Sequence, residues 1–330
     1  MDILTSLRLR IGSFRQAKEL HHEIQSNRQE IERANREVQN LKEDNKRLQQ
    51  RIEQIDIGAC YQVDPKRLIW LFGNPRTGST WLRRIMSELH PTWNEPFVGA
   101  LFGDFVKDYG GHTRRKEDFI LGGSSGTEAI RRFILYSVAS RYSDANTIAV
   151  KEPNGSQGAL IISEALPESG FVFLVRDPRD VVASALDAHS AGGFRAENRR
   201  KQGLQPLDPD WLVEDRANNY ARNITTSKEA YASHEGPKVQ VSYEELRRDT
   251  LNAVLRMYSA LRVWADSDAI KQAVEKHSWE NIPDEGKGVG LDRRKATPGG
   301  FREDLTQEQI AEVERITAPL MDELGYERVT

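Results

Sequence analysis

Apolar positions run unbroken through Leu68, Ile69, Trp70, Leu71 and Phe72, stop at Gly73, and return at helical spacing at Trp81, Leu82, Ile85, Met86 and Leu89. A short apolar run bounded by turn residues reads as a buried strand, and the i, i+3, i+4 spacing that follows reads as a helix. Asn74-Pro75-Arg76-Thr77-Gly78 is then the connecting loop. The same alternation recurs downstream. It predicts a helix from about Thr127 to Tyr142, a short strand at Thr147 to Val150 and a helix reaching Leu166. A second unbroken apolar strand follows at Gly170 to Val175, and a further strand from Lys238 runs into a helix near Leu246. Strands that alternate with helices predict a three-layer α/β fold, a parallel sheet with helices on both faces.

The first part of the chain follows a different period. From about Leu20 to Ile55 it lacks Gly and Pro and is dense in Glu, Lys, Arg, Gln and Asn. With Ile24 at heptad position a, Ile31, Val38, Asn45 and Ile52 also fall at a, and Leu20, Asn27, Ala34, Leu41, Leu48 and Ile55 at d. A register sustained over about five heptads predicts a coiled coil, and branched residues at a with one Asn there favour a parallel homodimer. An amphipathic helix folded back on its own globule is the alternative. In the first nineteen residues Leu4, Leu7, Leu9, Ile11 and Phe14 mix with Arg8, Arg10, Arg15 and Lys18. Such a segment can touch an anionic membrane surface, but it is short and broken by Gly12, so it reads as a lead-in to the coil. The expected division is coil 1–57, linker 58–67 and one large domain 68–330.

Composition narrows the classes. Among 330 residues, 47 Lys and Arg nearly balance 50 Asp and Glu, for a formal charge of −3, so no nucleic-acid partner is expected. No apolar run approaches the roughly 18 residues that span a bilayer. Cys60 is the one cysteine, so no intrachain disulfide can form, and the chain reads as cytoplasmic.

The loop between the first strand and helix can wrap an anion. Its amides converge on a helix N-terminus, where the dipole favours negative charge and the Ser79 and Thr80 hydroxyls add donors. Gly73 and Gly78 stand as in a nucleotide-triphosphate loop, but Ser79 and Thr80 follow directly, without the lysine that would reach the outer phosphates. The cation is instead Arg76, inside the loop. A second candidate site follows the strand ending at Val175, in RDPRDVVASAL. Asp177 is a natural N-cap and Pro178 a natural first helical residue, which puts Arg176 at the strand's carboxyl end, where open α/β sheets bind ligands. Ser184 lies eight residues on.

These motifs resemble those of the sulfotransferases that use 3'-phosphoadenosine 5'-phosphosulfate (PAPS), and the resemblance covers the chain from about Leu68 to the end. PRTGSTW, from Pro75 through Arg76, Thr77, Gly78, Ser79 and Thr80 to Trp81, is similar to the family's phosphosulfate loop. The resemblance implies that Arg176 and Ser184 hold the nucleotide's 3'-phosphate and that Tyr243, in KVQVSYEEL, lies near the adenine. It also implies that Trp279, in His277-Ser278-Trp279, stacks on the base opposite Trp81. RRKATPGGF, from Arg293 to Phe301, is similar to the family's tail segment, so Arg294 and Lys295 would reach the 3'-phosphate. Ala296 replaces a glycine whose N–H usually donates there; the N–H survives.

By the same resemblance Lys151 assists the leaving oxygen, and no metal is implied. Where many members place a histidine just after that lysine, this chain has Glu152. Glu152 is therefore the expected base, with His189 as the alternative. The stretch His189 to Asp210 carries Arg195, Arg199, Arg200 and Lys201 and is expected to form a lid; those cations either select an acidic acceptor or are simply solvated. Two other readings stay open: an ATP-dependent kinase on a similar fold, and a coiled-coil scaffold with a degenerate nucleotide domain.

Overall fold

Five parallel strands, ordered β2-β3-β1-β4-β5, form one sheet in the computed structural model of the chain. The structure describes residues 35, 38–47, 63–95, 97, 124–142, 144–190, 192–283, 287–288 and 296–329. The chain divides into two compact units, Met1–Ala59 and Cys60–Thr330. In the first, residues 35 and 38–47 are helical, with Val38 exposed and Leu41 and Asn45 half-buried. The other heptad positions and the first nineteen residues lie outside the described residues.

The second unit is the expected three-layer fold. Its strands are β1 (Leu68–Phe72), β2 (Thr92–Asn94), β3 (Ile148–Lys151), β4 (Gly170–Val175) and β5 (Lys238–Ser242). Every residue of β1, β3 and β4 is buried, as expected for strands covered on both faces. Side chains alternate between those faces. Leu68, Trp70 and Phe72 join one core with Ile148, Val150, Phe171 and Phe173, while Ile69 and Leu71 join the other with Ala149, Val172 and Leu174. Burying each of the larger side chains fully contributes about 1.5–3 kcal/mol.

The first core is covered by α2 (Ser124–Arg141), α3 (Ala159–Ala165) and α6 (Pro209–Ser233). The second is covered by α1 (Ser79–Met86), α8 (Thr250–Ala260) and α9 (Ser267–Lys276). The remaining helices are α4 (Pro178–His189), α5 (Phe194–Lys201), α7 (Tyr243–Arg248), α10 (Phe301–Asp304) and α11 (Gln307–Leu324).

Two features depart from the sequence reading. The edge strand β2 was not foreseen, because three residues are too few to show a period and none of them is fully buried. A 3-10 segment, Pro153–Gly158, separates β3 from α3. It holds Ser156, whose hydroxyl accepts from the Gly73 amide at 3.0 Å and donates to the Gly73 carbonyl, fixing the start of the loop after β1. That loop leaves the sheet tightly. Gly73 has φ +152° and a Cβ there would stand 2.3 Å from the Leu174 carbonyl oxygen, so only glycine fits. Among the described residues no helix is long and apolar enough to cross a membrane.

Candidate active site

Because all five strands are parallel, their carboxyl ends lie along one edge, about 4.8 Å apart in the hydrogen-bonding direction. The sheet order therefore fixes a row of groups. Glu95 follows β2, Lys151 ends β3, the loop 73–78 follows β1, Arg176 follows β4 and Tyr243 follows β5.

The loop is built to present backbone donors. Arg76 (φ 76°) and Gly78 (φ 88°) both take left-handed conformations. The Thr77 hydroxyl donates to the Asn74 carbonyl at 2.7 Å, and Asn223 Nδ2 donates to Asn74 Oδ1 at 2.8 Å, so the loop is braced from below. No side chain caps α1, which begins at Ser79, so its first amides face the cleft. Arg76 Nε donates to Ser184 Oγ at 2.9 Å, and Arg176 Nη1 donates to the Arg76 carbonyl at 3.0 Å. The two predicted anion sites thus meet.

The Arg176 guanidinium lies 4.0 Å from the Tyr243 ring centroid, and its backbone carbonyl accepts from the buried Tyr220 hydroxyl at 2.7 Å. Asp180 pairs with Arg176 at 3.7 Å and accepts from the Gly299 and Phe301 amides at 2.8 and 3.0 Å. Burial pushes its carboxyl pKa up, against the opposing pull of Arg176 and those amides. One carboxylate therefore joins the β4 end to the tail segment that begins at Ala296. On the other side Trp81 Nε1 donates to the His277 carbonyl at 2.8 Å, tying α1 to the segment carrying Trp279.

These groups surround a cleft with about 850 Å³ of empty volume. Of the residues expected to bind the nucleotide, it brings together Arg76, Gly78, Ser79, Thr80, Trp81, Arg176, Ser184, Tyr243, Trp279 and Ala296. Pro75 and Thr77 support the loop without lining the cleft, and Arg294 and Lys295 lie outside the described residues. Ala296 has φ 52°, the left-handed region in which the glycine of similar tail segments needs no accommodation. Arg84 and Arg247 also line the cleft and were missed. Arg247 stands four residues after Tyr243 on α7, so helical spacing was the available signal.

Apart from Arg76, the residues expected to do chemistry do not line this cleft. Lys151 is buried and donates to Glu95 Oε1 at 2.7 Å and to Asn94 Oδ1 at 3.1 Å. Glu152 is fully buried; its Oε1 accepts from the Phe97 amide at 2.8 Å and its own amide donates to the Leu71 carbonyl. His189 ends α4 with Nδ1 2.8 Å from the Ala185 carbonyl. It lines a separate hollow with Leu186, Leu207 and Leu212. Burial draws its pKa down, and the charges of Arg195, Arg216 and Arg199 add to this against the bond to Ala185.

Sequence reasoning missed Glu95. Its amide donates to the Lys151 carbonyl at 2.7 Å, its φ is 50°, and its second carboxylate oxygen accepts from Asn154 Nδ2 at 2.6 Å. A non-glycine residue held in that region by three hydrogen bonds, two with Lys151 and one with Asn154, is over-determined, as functional positions often are. Among the described residues no group of three or more His, Cys, Asp or Glu is arranged to hold a metal ion.

A family model described as the sulfotransferase family matches residues 69–266. The chain belongs to this family. Among solved structures, mouse sulfotransferase SULT7A1, crystallised with PAP, aligns over 78% of this chain and 85% of its own at 12% identity and a TM-score of 0.50. Sulfotransferase STF9 from Mycobacterium avium aligns over 79% and 77% at 15% identity and TM-score 0.49. The sulfotransferase domain of the Synechococcus PCC 7002 olefin synthase aligns over 79% and 94% at 16% identity and TM-score 0.48. No curated protein matches the sequence. At 12% identity the likeness to SULT7A1 speaks for the fold alone, and the site must be argued from this sulfotransferase's own residues.

Proposed function

We propose that this sulfotransferase moves a sulfuryl group from PAPS to a hydroxyl or amine of its acceptor, with Glu95 as the base. The observation that carries the reading is the joining of Arg76, Ser184 and Arg176 through hydrogen bonds of 2.9 and 3.0 Å in one cleft. Two anion sites that share a crevice, flanked by Trp81 and Trp279, suit a nucleotide charged at both ends. Trp81, Trp279 and Tyr243 would receive the base, the loop amides with Ser79, Thr80 and Arg76 the phosphosulfate, and Arg176 and Ser184 the 3'-phosphate. Arg294 and Lys295 would join the last group.

PAPS supplies a neutral SO3 unit together with the bridging oxygen on which charge builds as transfer proceeds. The chain has little covalent chemistry to perform, so its work is positioning and charge stabilisation. Arg76 and the loop amides answer the charge, with Lys151 next in the row along the sheet edge. The acceptor's proton goes to a carboxylate. Glu95 is favoured over Glu152 because it reaches the Lys151 ammonium and keeps part of its side chain open, 26% exposed, whereas Glu152 is sealed.

Calorimetry with 3'-phosphoadenosine 5'-phosphate (PAP) against ATP·Mg tests the donor. PAP should bind more tightly and without dependence on magnesium; tighter ATP binding lost on adding EDTA would install the kinase reading. Sulfate transfer from labelled PAPS separates the enzyme from an inactive scaffold. Asp180→Ala gives a finer check. Freeing the Gly299 and Phe301 amides should lower PAP affinity by about tenfold or more. Adenosine 5'-monophosphate, which lacks the 3'-phosphate, should bind as before. Equal losses for the two nucleotides would overturn the placement of the 3'-phosphate.

The heptads support a homodimer through the coil. A chain starting at Gly58 should then scatter light as a monomer where the full chain scatters as a dimer, and unchanged stoichiometry would dismiss the coil as the contact.

A further inference from the structure

At the carboxyl end of β4 the peptide unit joining Arg176 to Asp177 is gripped at both poles. Its carbonyl accepts from the buried Tyr220 hydroxyl of α6 at 2.7 Å, and its N–H donates to Glu244 Oε1, in the first turn of α7, at 3.0 Å. The other Glu244 oxygen accepts from the Tyr326 hydroxyl at 3.1 Å. Tyr326 follows α11, where Gly325, at φ 78°, turns the chain and the Tyr326 amide donates back to the Met321 carbonyl at 2.9 Å. Further on, the Val329 amide donates to Glu314 Oε1 at 2.9 Å. That oxygen also accepts from Arg179 Nη1 at 2.5 Å, and Arg179 holds the Asp177 carboxylate through Nε at 3.0 Å and Nη2 at 2.7 Å. The segment 325–329 therefore reaches Asp177 by two routes, at its amide through Glu244 and at its carboxylate through Arg179.

A peptide unit is planar, so fixing its carbonyl and its N–H together removes its rotation and sets the backbone from which Arg176 projects. The Arg176 guanidinium then donates to the Arg76 carbonyl at 3.0 Å and lies 4.0 Å from the ring centroid of Tyr243, the residue before Glu244. Glu244 thus joins the ends of β4 and β5, the paired strands that are followed by Arg176 and Tyr243 in the cleft. The dipole of α7 does not account for it. Glu245, in the same first turn and paired with Arg256 at 2.8 Å, already answers that dipole, whereas Glu244 gives its two oxygens to other elements. Burial pushes the Glu244 carboxyl pKa up, against the pull of the Asp177 amide. Burial, then the Glu244 charge, pushes the Tyr326 hydroxyl further from ionisation, so it stays a donor.

We propose that Glu244 and Tyr326 are positioning residues for the donor's 3'-phosphate, the carboxylate aiming Arg176 and the tyrosine hydroxyl holding the carboxylate. This rests on reading the cleft as the PAPS site.

Calorimetry on the full chain compares PAP with adenosine 5'-monophosphate, which differ by the 3'-phosphate alone. Tyr326→Phe removes one oxygen and should weaken PAP about fivefold while the monophosphate binds as before. Glu244→Ala should weaken PAP about tenfold or more, again without loss of the monophosphate. Glu244→Gln, whose carbonyl oxygen accepts from the Asp177 amide while its Nε2 donates to the Tyr326 oxygen, should restore most of the affinity. In transfer from labelled PAPS, Tyr326→Phe should raise KM and leave kcat in place. A residue that only holds the fold together would lower Tm and leave the ratio of the two affinities as it is in the wild type. An unchanged ratio in Tyr326→Phe, the variant least able to disturb folding, overturns the positioning role and leaves the donor reading standing, as does Glu244→Gln binding PAP no better than Glu244→Ala. A wild-type chain that binds PAP no more tightly than the monophosphate overturns the placement of the 3'-phosphate, and this proposal with it.

Discussion

Arg76→Ala is expected to lower the rate of sulfuryl transfer about 10²–10³-fold, the loss typical of removing one donor aimed at charge that builds in the transition state. PAP should still bind, weakened by no more than about tenfold. The split follows from where the charge sits. In the proposed pose the product nucleotide keeps Arg176 and the surfaces of Trp81 and Trp279, and of the groups assigned to the 3'-phosphate the Arg76 side chain holds only Ser184. The Arg76 guanidinium is also anchored: Nε is fixed by Ser184 at 2.9 Å, and the backbone carbonyl is gripped by Arg176 at 3.0 Å. A preorganised donor of this kind costs little reorganisation when charge appears. Since Arg76 already holds φ 76°, alanine and lysine keep the backbone strain of the wild type, and Arg76→Lys serves as the control with a retained charge. Single-turnover transfer of labelled sulfate and calorimetry with PAP read the two quantities. Arg176→Ala should do the converse, chiefly weakening the nucleotide. If instead Arg76→Ala loses PAP and keeps the single-turnover rate, the roles of the two arginines must be exchanged.

Much of the nucleotide side of this site is legible in the sequence because its causes are local. An apolar run ending at Gly73, a cation within the loop and a helix starting at Ser79 already specify a strand, an anion cup and a dipole. Arg176 and Ser184 are tied by the cap at Asp177, whose side chain accepts from the Arg179 amide at 2.9 Å. The acceptor side is different. Glu95 follows a strand of three residues with no period to detect, and its relation to Lys151 comes from the parallel register of β2 with β3, which pairs Asn94 with Lys151. Register between strands separated by 50 or more residues is not written in either stretch alone.

Glu152 shows the opposite hazard, adjacency that misleads. Successive residues at a strand end point to opposite sides, so Lys151 turns to Glu95 while Glu152 turns inward to the Phe97 amide. The entry into the 3-10 segment at Pro153 then seals it. Trp81 likewise gains its place from a partner 196 residues away, the His277 carbonyl, which only the assembled second unit supplies.

The same row of strand ends makes Glu95→Gln the sharpest test of the chemistry. Glutamine keeps the shape, and its one carbonyl oxygen can still accept from Lys151 while the Asn154 amide turns to accept from its Nε2, but it cannot take a proton. General base catalysis commonly contributes 10²–10⁴-fold, and a loss of about that size is expected in the rate of transfer, with PAP affinity unchanged. Glu152→Gln alters the bond to the Phe97 amide inside the core and should show as lost thermal stability, with the folded fraction still active. His189→Asn should keep its activity, since its ring faces a different hollow. Should Glu95→Gln transfer sulfate at the wild-type rate while either of those variants is inactive though folded, the base is not at the β2 end, and the proton must leave by the other residue.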